Sequence, residues 1–147
     1  MDIYTSALKQ AEGLGDKHEL GVIFSCIAII YKLTGLYDKA SDYFTRSFKI
    51  FEQMDNKEMI GVLYNNIGSN YAEKSDYDKA LDYYNRSLKI QEEFGDKPRM
   101  GICFSNIGIF YVHKGEYEKA LDYYNRSLKI QEEFGNKFGT AQVLNDF

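Results

Sequence analysis

Residues Tyr77–Lys97 read YDKALDYYNRSLKIQEEFGDK, and residues Tyr117–Lys137 read YEKALDYYNRSLKIQEEFGNK. The two stretches differ only at Asp78/Glu118 and Asp96/Asn136, at an offset of 40 residues. One step back of the same size gives Tyr37–Lys57, YDKASDYFTRSFKIFEQMDNK, and another gives Asp2–Lys17, DIYTSALKQAEGLGDK. The intervening segments repeat as well. Gly21-Val22, Gly61-Val62 and Gly101-Ile102 open matching stretches that end in Tyr31, Tyr71 and Tyr111. Self-similarity at such a period marks a tandem array whose single unit cannot bury its own apolar face.

Each period reads as two helices. Tyr77, Ala80, Leu81, Tyr84, Leu88 and Ile90/Gln91 follow three-and-four spacing, one apolar helical face. Asp82 and Arg86 stand four apart on another face, as do Asp42/Arg46 and Asp122/Arg126, the order that suits an exposed helical ion pair. Gly15, Gly95 and Gly135 sit where a helix ends in a left-handed residue, with Asp55 in the remaining copy. Asp16, Asn56, Asp96 and Asn136 follow as N-cap candidates, and Glu19 gives Asp16 the spacing of a capping box. Gly35, Ser75 and Gly115 mark the turn inside each unit. Residues 16–55, 56–95 and 96–135 are thus expected to be three full units. Residues 1–15 match a second helix alone, and 136–147 match the start of a further first helix.

These residues resemble the tetratricopeptide repeat. With each core counted from Gly21, Gly61 and Gly101, the family's bulky fourth position is Phe24, Tyr64 and Phe104. Its Leu-Gly pair corresponds to Ile27-Ala28, Ile67-Gly68 and Ile107-Gly108, and its tyrosine to Tyr31, Tyr71 and Tyr111. The small residue of the second helix is Ala40, Ala80 and Ala120, followed by Phe44, Tyr84 and Tyr124 and then by Ser47, Ser87 and Ser127. The closing proline is replaced by Glu52, Glu92 and Glu132, and longer helices bring the period to that of kinesin light chains and Pins-type adaptors. The resemblance implies an all-α fold, a right-handed superhelical solenoid of antiparallel helix pairs. It also implies a non-catalytic scaffold that binds a protein or peptide partner in a concave groove lined by first helices.

Composition narrows the function from the other side. A net charge of -4 suits no nucleic-acid backbone, and no apolar run is long enough to span a bilayer. Cys26 and Cys103 supply neither a disulfide framework nor a zinc site, which points to a reducing, cytoplasmic setting. His18 and His113 occupy unrelated positions with no nucleophile beside them, and the glycines are repeat punctuation rather than a phosphate loop. No catalytic residue, metal or cofactor is expected. The 13 tyrosines and 10 phenylalanines fall mostly in repeat columns and on apolar helix faces, where packing accounts for them.

Copies 77–97 and 117–137 share 19 of 21 residues, whereas first-helix stretches 57–76 and 97–116 share 7 of 20. Divergence therefore concentrates where the family binds ligands. The inward positions implied by the resemblance include Ser25, Ile29 and Lys32, then Asn65, Asn66, Ser69 and Glu73, then Ser105, Asn106, Ile109 and His113. Asn66 and Asn106 could grip a peptide backbone, since an amide both donates and accepts; the alternative is a bond to a neighbouring helix. Asn70, between Ile30 and Phe110 in its column, reads as a packing adjustment. The family's chaperone-tail clamp needs lysines that Ser25, Asn65 and Ser105 do not supply. At the ends, Ile3, Tyr4 and Leu8, and Val143, Leu144 and Phe147, lack partners in this array, as expected of a piece of a longer array, a regulatory or sensor domain among them; the alternative is that these ends join copies of the chain into a homo-oligomer.

Overall fold

The computed structural model describes Ser6, Lys9 and residues 15–134. Six helices fill the latter span: α1 (Lys17–Leu33), α2 (Tyr37–Gln53), α3 (Lys57–Glu73), α4 (Tyr77–Phe94), α5 (Lys97–His113) and α6 (Tyr117–Glu133). Four of their starts follow from side chains. Asp16, Asn56 and Asp96 accept from the backbone N–H groups of Glu19, Met59 and Arg99, at 3.0, 3.1 and 3.2 Å. Each satisfies a donor that the first helical turn leaves unpaired. Asp76 caps α4 in the same way through the Lys79 N–H at 3.4 Å. The chain leaves α1 to α5 through a left-handed residue, and at Asp55 and Ser75 that residue is not glycine, with φ of 52° and 65°.

Helices pair α1 with α2, α3 with α4 and α5 with α6, and each pair stacks on the next. A glycine–serine column fixes every pair. Ser47 Oγ donates to the Gly21 carbonyl at 2.7 Å, Ser87 Oγ to Gly61 at 2.7 Å, and Ser127 Oγ to Gly101 at 2.9 Å. A glycine lets the facing helix approach this closely, and the carbonyl's second lone pair takes the bond. Between pairs, Phe44, Phe51 and Leu63 lie in one buried cluster, and Ala80, Tyr84 and Ile107 in another. Asn70 donates to the Tyr37 carbonyl at 3.1 Å and to Ser41 Oγ at 2.9 Å, tying α3 to α2 as its packing column suggested.

The aromatic columns form a stack repeated three times. Tyr31 lies on Tyr43 at 5.6 Å, Tyr71 on Tyr83 at 5.5 Å, and Tyr111 on Tyr123 at 5.5 Å between ring centres. Lys39, Lys79 and Lys119 cover one side of each stack, and Arg46, Arg86 and Arg126 the other. The arginines also pair with Asp42, Asp82 and Asp122 at 3.0, 3.0 and 2.9 Å. Exposed ion pairs of this kind contribute only a few tenths of a kcal/mol, so the rings carry most of the energy.

Spacing along the array sets its curvature. α1 approaches α3 and α3 approaches α5, while among the described residues neither α2 and α4 nor α4 and α6 come together. The first helices therefore lie on the inside of the bend and line one groove. None of the six helices is long and apolar enough to cross a membrane.

Candidate functional site: the first-helix groove

The groove is built from one face each of α1, α3 and α5, with residues spaced three and four apart so that they point the same way. Hydrogen bonds run between neighbouring first helices along it. Lys32 Nζ on α1 donates to Ser69 Oγ on α3 at 3.0 Å. Asn106 Nδ2 on α5 donates to Asn65 Oδ1 on α3 at 2.8 Å. Lys32, Asn65, Asn66, Ser69 and Asn106 are all half-buried, and the ion pair of Arg99 with Glu58 at 3.0 Å flanks them. Ile102, Ile109 and Val112 are 54, 45 and 40% exposed, an apolar strip on α5 that nothing in the described chain covers. Such a face, neutral amides beside uncovered aliphatic groups, can pair an extended backbone and bury side chains at the same time.

Not every residue that the resemblance placed in the groove is free there. Ser25 is buried, and Ile29 packs against the Phe44 cluster. Ser105 shares a hydrogen bond with Ser127 at 2.8 Å, so its hydroxyl serves the α5–α6 pair. His113 is exposed but stacks on Tyr77 of α4, 4.4 Å between ring centres. Glu73 is exposed at the end of α3. Asn106 takes the neighbouring-helix option through Asn65, whereas Asn66 makes no side-chain hydrogen bond among the described residues. The six apolar residues considered for joining copies, Ile3, Tyr4, Leu8, Val143, Leu144 and Phe147, lie outside the described residues.

The repeat and its geometry meet a match in known sequences. A family model described as tetratricopeptide repeat covers residues 59–133, just over half of the chain. The chain belongs to the tetratricopeptide-repeat family. Solved structures with the same repeat arrangement include BtubC (BKLC) from P. vanneervenii, 24% identical, with a TM-score of 0.78 over 92% of this chain and 56% of that one. The apo form of RapI gives the same identity, TM-score and coverage of this chain, over 38% of its own length. A STAND protein with a tetratricopeptide-repeat sensor, PH0952 from Pyrococcus horikoshii, is 29% identical, with a TM-score of 0.66 over 90% of this chain and 21% of that one. This tetratricopeptide-repeat chain thus spans about half of BtubC and about a fifth of PH0952. No curated protein sequence matches it.

Two elements escaped the sequence reading. The bonds of Ser47, Ser87 and Ser127 to glycine carbonyls were visible only as a column of small residues, although the constant serine–glycine spacing of 26 carried the signal. The Lys32–Ser69 and Asn106–Asn65 bonds join side chains 37 and 41 positions apart, and no single unit contains both partners.

Proposed function

We propose that this chain is a non-catalytic protein-interaction module that holds an extended or helical peptide in the groove of α1, α3 and α5. Tetratricopeptide repeats generally mediate protein–protein interaction, and the fold is typically non-catalytic. The observation that supports the groove is Asn66. Its amide is half-buried and, among the described residues, without a hydrogen-bond partner, and it lies beside the uncovered Ile102. A bound backbone would satisfy that amide and cover the aliphatic strip in one step. Asn66→Ala is expected to weaken a groove-bound peptide by roughly tenfold, the worth of about one buried hydrogen bond. Asn106→Ala costs less, because its amide is engaged with Asn65. Circular dichroism is the control that both variants keep the fold. Unchanged affinity on removing the Asn66 amide would reject the groove reading.

A sensor role within a longer protein is the second reading. It is favoured by the 29% identity to the STAND protein, whose tetratricopeptide repeat is described as a sensor. The two readings share the groove and differ in what binding triggers.

A further inference from the structure

Lys32 breaks the pattern of its repeat column. The equivalent positions of the other two units hold Ala72 and Val112, so the array stacks without a lysine there. Its ammonium reaches across the groove from α1 and donates to Ser69 Oγ on α3 at 3.0 Å. That bond uses one of three donors and leaves the charge unmatched. Among the described residues Lys32 forms no ion pair. Every other described lysine outside an ion pair is exposed, where water solvates the ammonium, whereas Lys32 is half-buried. A cation in the last turn of a helix does meet the helix dipole favourably. That role needs no bond to α3, and the helices ending in Ala72-Glu73 and Val112-His113 form without a lysine at this position.

The surroundings decide which anion suits it. Arg99 is held by Glu58 at 3.0 Å, Lys74 by Asp38 at 3.0 Å, and His113 is stacked on Tyr77. Among the described residues these leave Lys32 as the unmatched cation of the groove. A single ammonium matches a monoanion, whereas a phosphate dianion is served better by a forked arginine or a cluster of cations. Glu73, one turn beyond Ser69 on α3, is exposed and forms no ion pair, so water and salt screen its repulsion of an incoming carboxylate. Leu33, next to Lys32, is 75% exposed, in a column where the other units hold Glu73 and His113. A peptide covers that aliphatic surface only by running on past Lys32. The carboxylate therefore belongs to a side chain and not to the peptide's end.

We propose that Lys32 is the charge-selecting contact of the groove and pairs with one aspartate or glutamate side chain of the bound peptide. This deepens the groove reading and rests on it. The test uses a random peptide library with free C-termini, selected on the full chain, with binders synthesised and titrated. Selected peptides should carry Asp or Glu at one fixed position, and the matching amide there should weaken binding about tenfold, the worth of a charge-assisted bond. Lys32→Gln keeps a donor for Ser69 and removes the charge. It should produce the same loss with circular dichroism unchanged, and the two losses should not add. Added salt should weaken the acidic peptide on the original chain and much less on Lys32→Gln. Amidating the peptide's C-terminus should change little. Binders with no fixed acidic position, losses that add in full, or a loss that follows amidation instead overturn the Lys32 contact, and the groove stands if Asn66→Ala still weakens those binders. Binders indifferent to Lys32→Gln, Asn66→Ala and Ile109→Ser, or no binder at all, overturn both.

Discussion

Replacing Gly101 by alanine adds one methyl in the interior of α5, and the same change at Gly61 adds it to the matching position of α3. A Cβ at Gly101 would lie 3.6 Å from Ile130 Cγ2 and 3.7 Å from Ser127 Oγ, ordinary contact distances. Alanine is then free to express its helix propensity, about 0.8–1.0 kcal/mol over glycine. A Cβ at Gly61 would lie 2.7 Å from Gln91 Nε2 and 2.8 Å from Ile90 Cγ2. Gln91 can swing its amide aside. Ile90 cannot, because a β-branched residue in a helix has one strongly preferred rotamer. α4 would have to retreat, stretching the 2.7 Å bond from Ser87 to the Gly61 carbonyl. Overpacking of this kind costs about 1–3 kcal/mol, which meets or exceeds the propensity gain. Gly101→Ala should therefore raise the melting temperature by roughly 2–4 °C, and Gly61→Ala, with a net cost of up to about 2 kcal/mol, should lower it by up to roughly 4–8 °C. Thermal and urea unfolding followed by circular dichroism at one pH read both. A rise in both variants, or a fall in both, would refute the contact geometry of this column.

Three further outcomes follow from single residues. Ser75 holds φ of 65° where Gly35 and Gly115 hold 81° and 75°, so Ser75→Gly should stabilise the chain by about 1 kcal/mol in urea unfolding. Burial pushes the Tyr84 hydroxyl from 10.0 up to about 12. Below pH 10 it is protonated in both states; between 10 and 12 the unfolded chain loses the proton first, so stability falls as pH rises, by about 2–3 kcal/mol in all. Tyr84→Phe should remove that part of the alkaline slope, and an unaltered slope would show that the hydroxyl is solvated. Cys26 is exposed, whereas Cys103 is buried and its thiol is pushed up by that burial. A thiol reagent at neutral pH should modify one cysteine promptly and the other only at the rate of unfolding; two equally fast thiols would contradict this packing.

The fold was legible because the near-identity of 77–97 and 117–137 gave a period, and caps at Asp16, Asn56 and Asp96 marked helix starts. The aromatic columns were readable as packing, though not as tyrosine pairs closed by lysine and arginine. The groove was only half legible. Repeat position says which way a side chain points, and it brought Lys32, Asn66, Ser69 and Ile109 to one face. It does not say what the side chain meets. Ser105 and Asn106 are drawn off by partners on other helices, Ser127 and Asn65, whose reach depends on how the pairs stack.

We propose that the groove faces of the first helices, rather than the second helices that carry Tyr43, Tyr83 and Tyr123, form the binding surface. Amide NMR of the ¹⁵N-labelled chain, titrated with a peptide selected on it, tests this most directly. The expected shifts cluster at Val62, Asn66, Ser69, Ile102, Asn106 and Ile109, and in Asn66→Ala they need roughly ten times more peptide to reach the same size. Shifts confined to Tyr43, Tyr83 and Tyr123 and their neighbours on α2, α4 and α6 would contradict it.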